Sequence, residues 1–189
     1  MRKVIYSMMV SLDGYIEGPN KEIDWHIIDR ELHTFINNQQ TDIGAYIYGR
    51  GLYENMTAFW PTADQDPDAP DYVLEWARIW KAMPKIVFST TLKEVAWNSR
   101  LVRGDVAGEV ARLKAEPGEN LALGGAKLAA TFMKLELIDE YQLLVQPVVL
   151  GNGTSLFGRM EKPLLLRLLE TRAFASGVVY LRYQAITQS

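Results

Sequence analysis

The chain has no cysteine and only two histidines, His26 and His33, among its 189 residues. Without thiols there is no disulfide, no thiolate nucleophile and no zinc–sulfur site. Two histidines seven positions apart make a poor metal site by themselves; they read as a loop residue and a surface residue, and no metal is expected. Neither a G-x-S-x-G elbow nor a P-loop occurs. Lys and Arg, 20 in all, are outnumbered by 23 Asp and Glu, which argues against nucleic acid as a partner. No apolar run reaches the roughly 18–20 residues that a bilayer demands. The opening MRKVIYSMMVSLDG is broken at Ser7 and Ser11 and reads as a first strand rather than a signal peptide. A cytoplasmic protein without a membrane partner is the expectation.

What is present suits a globular core. The hydrophobic fraction is 48%, and the length fits one domain, 1–189, with no repeat or linker. Apolar periodicity predicts strands at Val4–Val10, Ala45–Tyr48, Lys85–Ser89, Ser99–Val102, Leu121–Leu123, Tyr141–Leu150, Leu164–Leu169 and Val178–Ala185. Helices are predicted at Ile28–Asn38, Leu52–Phe59, Tyr72–Lys81, Asp105–Lys114 and through Leu128, Phe132 and Leu135. Strands alternate with helices first and run without them at the end. That pattern predicts an α/β fold whose central sheet is mostly parallel, with antiparallel strands at its carboxyl-terminal end.

Two strand–glycine–helix junctions carry the chemistry. Gly49-Arg50-Gly51-Leu52 and Leu123-Gly124-Gly125-Ala126-Lys127 each stand between a short apolar run and a helical pattern. The first N–H groups of a helix have no partner inside it, and its dipole is positive there, so a phosphate is a natural guest. Neither junction has the spacing of the Rossmann fingerprint. Arg50 could fork onto a phosphate, and Ser89-Thr90-Thr91 with Lys93 ends another strand with hydroxyls. Together these suit the 2′-phosphate of NADPH, although an exposed arginine beside a hydroxyl-rich turn is the plainer alternative. Asp24, Asp29 and Glu31 cluster near a helix start, where a carboxylate serves either as a proton-transferring group or as a cap. Trp25 adjoins them and could line a pocket for a flat ring, whereas Trp76 and Trp80, at i, i+4, are core or interface anchors.

The order of these motifs is informative: Ser11-Leu12-Asp13-Gly14-Tyr15-Ile16, Ile23-Asp24-Trp25, Tyr48-Gly49-Arg50-Gly51-Leu52-Tyr53-Glu54, Val87-Phe88-Ser89-Thr90 and Leu123-Gly124-Gly125-Ala126-Lys127. Over nearly its whole length the chain resembles the dihydrofolate reductase-like superfamily. It is most similar to stand-alone proteins resembling the reductase domain of the bifunctional riboflavin-biosynthesis deaminase-reductase. The resemblance implies a three-layer dihydrofolate reductase-like fold with helices on both faces of the sheet. It implies NADPH across the strand ends, with Arg50, Ser89 and Thr90 near the 2′-phosphate and Gly124–Gly125 near the pyrophosphate. Met9–Val10 and Ile16 would touch the nicotinamide. Asp29, Glu31 and Trp25 become the catalytic candidates, and the substrate a heterocycle like dihydrofolate or 5-amino-6-(5-phosphoribosylamino)uracil. A homodimer is implied as well. The alternative is a nucleotide-binding or regulatory protein that kept the fold without the catalysis. Three positions depart from the pattern: Leu52 replaces a frequent threonine, Arg30 falls where folate reductases place a carboxylate, and Tyr15 stands where the riboflavin enzymes commonly have lysine.

Overall fold

The computed structural model describes residues 1–186. In chain order these form β1 (Val4–Ser11), β2 (Tyr15–Glu17), α1 (Arg30–Asn38), β3 (Ile43–Gly49), α2 (Arg50–Phe59), α3 (Asp71–Ala82), β4 (Lys85–Phe88) and β5 (Ser99–Val102). Then come α4 (Val106–Ala115), β6 (Asn120–Gly124), α5 (Ala126–Lys134), β7 (Glu140–Gln146), β8 (Thr154–Ser155), β9 (Leu166–Ala173) and β10 (Val179–Ala185). Eight strands form one sheet in the order β5-β4-β3-β6-β1-β7-β10-β9. Neighbours from β5 to β7 run parallel, while β10 is antiparallel to both β7 and β9. The mostly parallel α/β sheet with antiparallel final strands is therefore as the sequence predicts.

Alternation along the strands sends successive side chains to opposite faces, and each face is covered. On one side Val4, Tyr6 and Val10 of β1 share a core with Val110 and Leu113 of α4 and Phe132 of α5. On the other, Ile5, Tyr46 and Tyr48 pack with Tyr53 of α2 and Trp80 of α3, and Leu144 and Tyr180 pack with Leu32 of α1. Trp76 and Trp80 thus anchor the core: Trp80 is fully buried, and Trp76 lies 5.9 Å from the Trp60 ring. His33, expected at the surface, is buried instead, its ring 4.9 Å from that of Tyr72 and its Nδ1 3.1 Å from Asn37 Oδ1. Four residues below it on the helix, Asn37 fixes it, which the sequence spacing did not announce.

Other boundaries shift for local reasons. The strand predicted to reach Leu150 stops at Gln146, because Pro147 has no N–H to give to a ladder. Leu135, assigned to the buried stripe of α5, is its 43% exposed carboxyl cap. The pairing of β2 with β8 was not foreseen, since two residues of β8 carry no period. The two edges of the main sheet are unequal. At one end β5 has four residues and is tied by Arg100 to Glu109 of α4. At the other, β9 is eight residues long and almost wholly exposed.

Candidate functional site

The register brings the two glycine junctions side by side. Tyr48 of β3 is opposite Gly124 of β6, and Gly49 is opposite Phe88 of β4. Helices α2 and α5 therefore start from the carboxyl ends of two neighbouring interior strands of the parallel sheet, where ligands of open α/β sheets bind. Gly49 and Gly125 stand at their N-cap positions and give no side-chain cap. By contrast Asp29 accepts from Leu32 N at 2.8 Å to cap α1, and Asp105 accepts from Gly108 N at 2.9 Å to cap α4. The first turns of α2 and α5 thus keep N–H donors for a guest.

The glycines divide by what they admit. Gly125 has φ +89°, a conformation that side chains resist. A Cβ on Gly124 would come within 2.5 Å of Leu52 Cδ2, and one on Gly49 within 3.3 Å of Leu128 Cβ. At these two positions the missing side chain makes room for a leucine of the other helix, so the two helix beginnings are packed on each other. Gly51 faces open space. Leu123 is buried, Ala126 is half-buried and Lys127 is exposed in the first turn of α5.

Beside them, Arg50, Phe88, Ser89, Thr90, Thr91 and Val102 line a cleft of about 330 Å³ together with Gly104 and Val106. Arg50, whose side chain is 55% exposed, donates to Thr91 Oγ1 at 3.2 Å and lies 3.8 Å from Glu54. The Ser89 hydroxyl accepts from Thr91 N at 3.2 Å and Leu92 N at 3.1 Å, shaping the loop from within. Arg103, which sequence reasoning passed over, clasps that loop by donating to the carbonyls of Thr90, at 3.1 Å, and Leu92. A lone arginine after a short strand gives no pattern to find it by.

The second group surrounds the ends of β1 and β7. Met9 is half-buried beside α1, Val10 points into the opposite core, and Ile16 is 8% exposed in that same core. Asp13 latches the turn after β1 to the loop after β7. It accepts from Ser11 Oγ at 2.7 Å, Gly151 N at 2.7 Å and Leu150 N at 3.1 Å. Those donors, the Ser11 hydroxyl foremost, hold its carboxyl below the usual range. The sequence showed Asp13 as a turn residue only, because its partners lie far along the chain. Gln146 is fully buried; its Oε1 accepts from Ile27 N at 2.9 Å, and its Nε2 has no partner among the described residues. His26 Nε2 is likewise unpaired, and burial pushes that ring's pKa down. Trp25 lies edge-on to His26 at 4.2 Å and donates to Glu22 O at 3.0 Å.

The carboxylate candidates separate. Asp29 uses Oδ1 as the α1 cap. Glu31 instead reaches Arg172 of β9 at 2.9 Å. Arg30, at the position of the displaced carboxylate, pairs with Asp71 at 2.7 Å on the outside.

Comparison with known proteins follows the same lines. A relative named "Uncharacterized protein YyaP" from Bacillus subtilis (strain 168) is 37% identical over 187 residues, covering 96% of this chain and 94% of its own. A dihydrofolate reductase from Enterococcus faecalis, complexed with NADP(H), superimposes with a TM-score of 0.64 at 12% identity over 97% of this chain and 96% of that one. A diaminohydroxyphosphoribosylaminopyrimidine deaminase/5-amino-6-(5-phosphoribosylamino)uracil reductase from Thermotoga maritima gives a TM-score of 0.67 at 16% identity. It is covered over 57% of its length by 98% of this chain. The fold is thus dihydrofolate reductase-like. The model of the RibD C-terminal domain matches residues 2–180, and the chain belongs to the RibD C-terminal domain family.

Proposed function

We propose that this protein is an NADPH-dependent reductase that delivers hydride to a C=N or C=O carbon of a small planar heterocycle, pterin-like or pyrimidine-like. One observation carries the reading: α2 and α5 begin uncapped on adjacent strands, with Arg50 within hydrogen-bonding distance of Thr91 beside them. The first-turn N–H groups of both helices suit a diphosphate, and Arg50 with Thr91 suits the 2′-phosphate. The bound coenzyme would supply the hydride.

The chain's own residues bind, align and exclude water. Met9, half-buried beside α1, is assigned to the nicotinamide and Trp25, in the loop before α1, to the substrate ring. Asp29 keeps Oδ2 free of hydrogen bonds among the described residues while Oδ1 caps the helix, so Oδ2 is the atom assigned to hold a proton for the substrate. Glu31, occupied by Arg172, is assigned no part in that transfer.

Titration with NADPH under tryptophan fluorescence tests the coenzyme; a folded sample without quenching at high micromolar NADPH would refute it. A second reading, a nucleotide-binding protein without turnover, is favoured by Leu52 on Gly124 and by the engagement of Glu31. Asp29→Asn separates the two, because asparagine still caps a helix but carries no acid. Turnover reduced on the order of 100-fold at unchanged melting temperature supports the reductase. NADPH binding without oxidation by any pterin, pyrimidine, imine or carbonyl supports the second reading.

A further inference from the structure

The strand-end surface has two halves of opposite electrical character. Around the ends of β3, β4 and β6, Arg50, Lys93, Arg103 and Lys127 outnumber Glu54, Glu94 and Asp105. Around the ends of β1 and β7 the balance reverses. Residues 11–31 hold six carboxylates, Asp13, Glu17, Glu22, Asp24, Asp29 and Glu31, against two cations, Lys21 and Arg30. This one segment is more negative than the whole chain, whose formal charge is −3. Arg30 is turned outward to Asp71, and Arg172 of β9, which lies over Phe174, is taken up by Glu31. The loop 147–152 and the turn 174–177, which complete this half, contain no charged residue.

Three of the seven buried side-chain polar atoms that have no partner among the described residues belong to the same half. Gln146 is fully buried with Nε2 unsatisfied; its orientation is set by Ile27 N–H, which requires the oxygen on that side. His26 Nε2, next along the loop, is unsatisfied too. So is Ser176 Oγ in the turn 174–177, which rests on Pro147, 3.5 Å from where a Cβ on Gly177 would lie. Buried donors without partners cost free energy, and a ligand that satisfies them recovers it. Around them Leu12, Ile27 and Val149 expose 68, 40 and 66% of their surface.

We propose that this half takes an unphosphorylated heterocycle, neutral or positively charged, whose carbonyl or ring-nitrogen acceptor receives the Gln146 amide N–H, and that it rejects sugar-phosphate substrates. The inference rests on the reductase reading for what the site is used for. A phosphate ester would enter among carboxylates where, among the described residues, Arg30 and Arg172 are already paired and Lys21 alone is not, whereas an apolar rim over unsatisfied donors matches a flat ring with a polar edge. The lysine missing at Tyr15 accords with the same preference.

The experiment is equilibrium binding of two probes that differ in one group, 5-amino-6-ribosylaminouracil and its 5′-phosphate, to the full chain with and without saturating NADP+. Calorimetry at low and at physiological ionic strength is the readout. The unphosphorylated probe is expected to bind at least tenfold more tightly at low salt, with the gap narrowing as salt screens the carboxylates. Asp24→Lys, an exposed change that leaves the core intact, is expected to move the ratio several-fold toward the phosphate. Gln146→Leu is expected to weaken the unphosphorylated probe at least tenfold; should that variant unfold, the Asp24 variant decides. Equal or tighter binding of the phosphate, or no binding of either probe, overturns the proposal. NADPH titration of the same sample keeps the two readings apart. Nucleotide binding without probe preference sinks only this inference, and probe preference without nucleotide binding sinks only the coenzyme.

Discussion

Leu52 is the residue on which the proposed coenzyme site turns. Its side chain fills the space that Gly124 leaves free, so α2 and α5 are fastened to each other where a pyrophosphate would rest. Leu52→Thr would shorten that side chain and place a hydroxyl beside the first-turn N–H groups of α2. The expected outcome is NADPH affinity raised about three- to tenfold, one added hydrogen bond to a charged group being worth about 1.5 kcal/mol or more before desolvation. A loss of about 1–2 kcal/mol in stability from the buried methyl groups accompanies it. Calorimetric titration and a urea melt check both; unchanged affinity would mean that the diphosphate does not lie over this turn. Lys85 illustrates a charge spent wholly on structure. It is buried, donating to the carbonyls of Met83 at 2.8 Å and Trp97 at 2.9 Å, and burial brings its pKa down to about 8.

At the scale of elements, α4 is moored to edge strand β5 through Glu109, which accepts from Arg112 at 2.7 Å and from Arg100. Arg112 first, then Arg100, holds its carboxyl at about 2, against 4.5 ordinarily. A carboxylate depressed in the folded state contributes stability above its unfolded pKa and loses it as pH falls through the folded one. Both arginines are about half exposed, so screening limits the contribution to about 1 kcal/mol. Glu109→Gln should therefore melt earlier than the parent at pH 7, and the two curves should converge between pH 4.5 and 2. A difference that persists at pH 2 would assign the effect to packing. Elements were also what the sequence disclosed best. Each main strand and helix was legible in its apolar period, because the parallel sheet is buried on both faces and its runs are undiluted. The glycine junctions were legible as turns, and Arg50 with Thr91 as neighbours. The Asp13 latch, the Arg103 clasp and the unpaired Gln146 were not, since each depends on a partner that no period predicts. Asp29 and Glu31 look equivalent in the sequence, yet a step of two positions sends the first to the helix cap and the second to β9.

For the whole molecule the unequal sheet edges matter most. Strand β9 exposes Leu168 and Leu169 at 50 and 43%, and among the described residues it pairs only with β10. Long bare edges invite another strand, and we propose that a second copy of this chain supplies it. Antiparallel pairing centred between Leu168 and Leu169 sets Arg167 opposite Glu170 of the second copy, twice over by symmetry. Light scattering at micromolar concentration should give twice the chain mass, and Leu168→Lys should halve it without lowering helical content. A monomeric parent would dispose of this arrangement. The opposite margin, β5, offers half as many residues and is tethered by Arg100 to α4. A sheet with one sociable border and one closed border stops growing once two copies have met. The same asymmetry that permits a pair thus denies the chain a fibre.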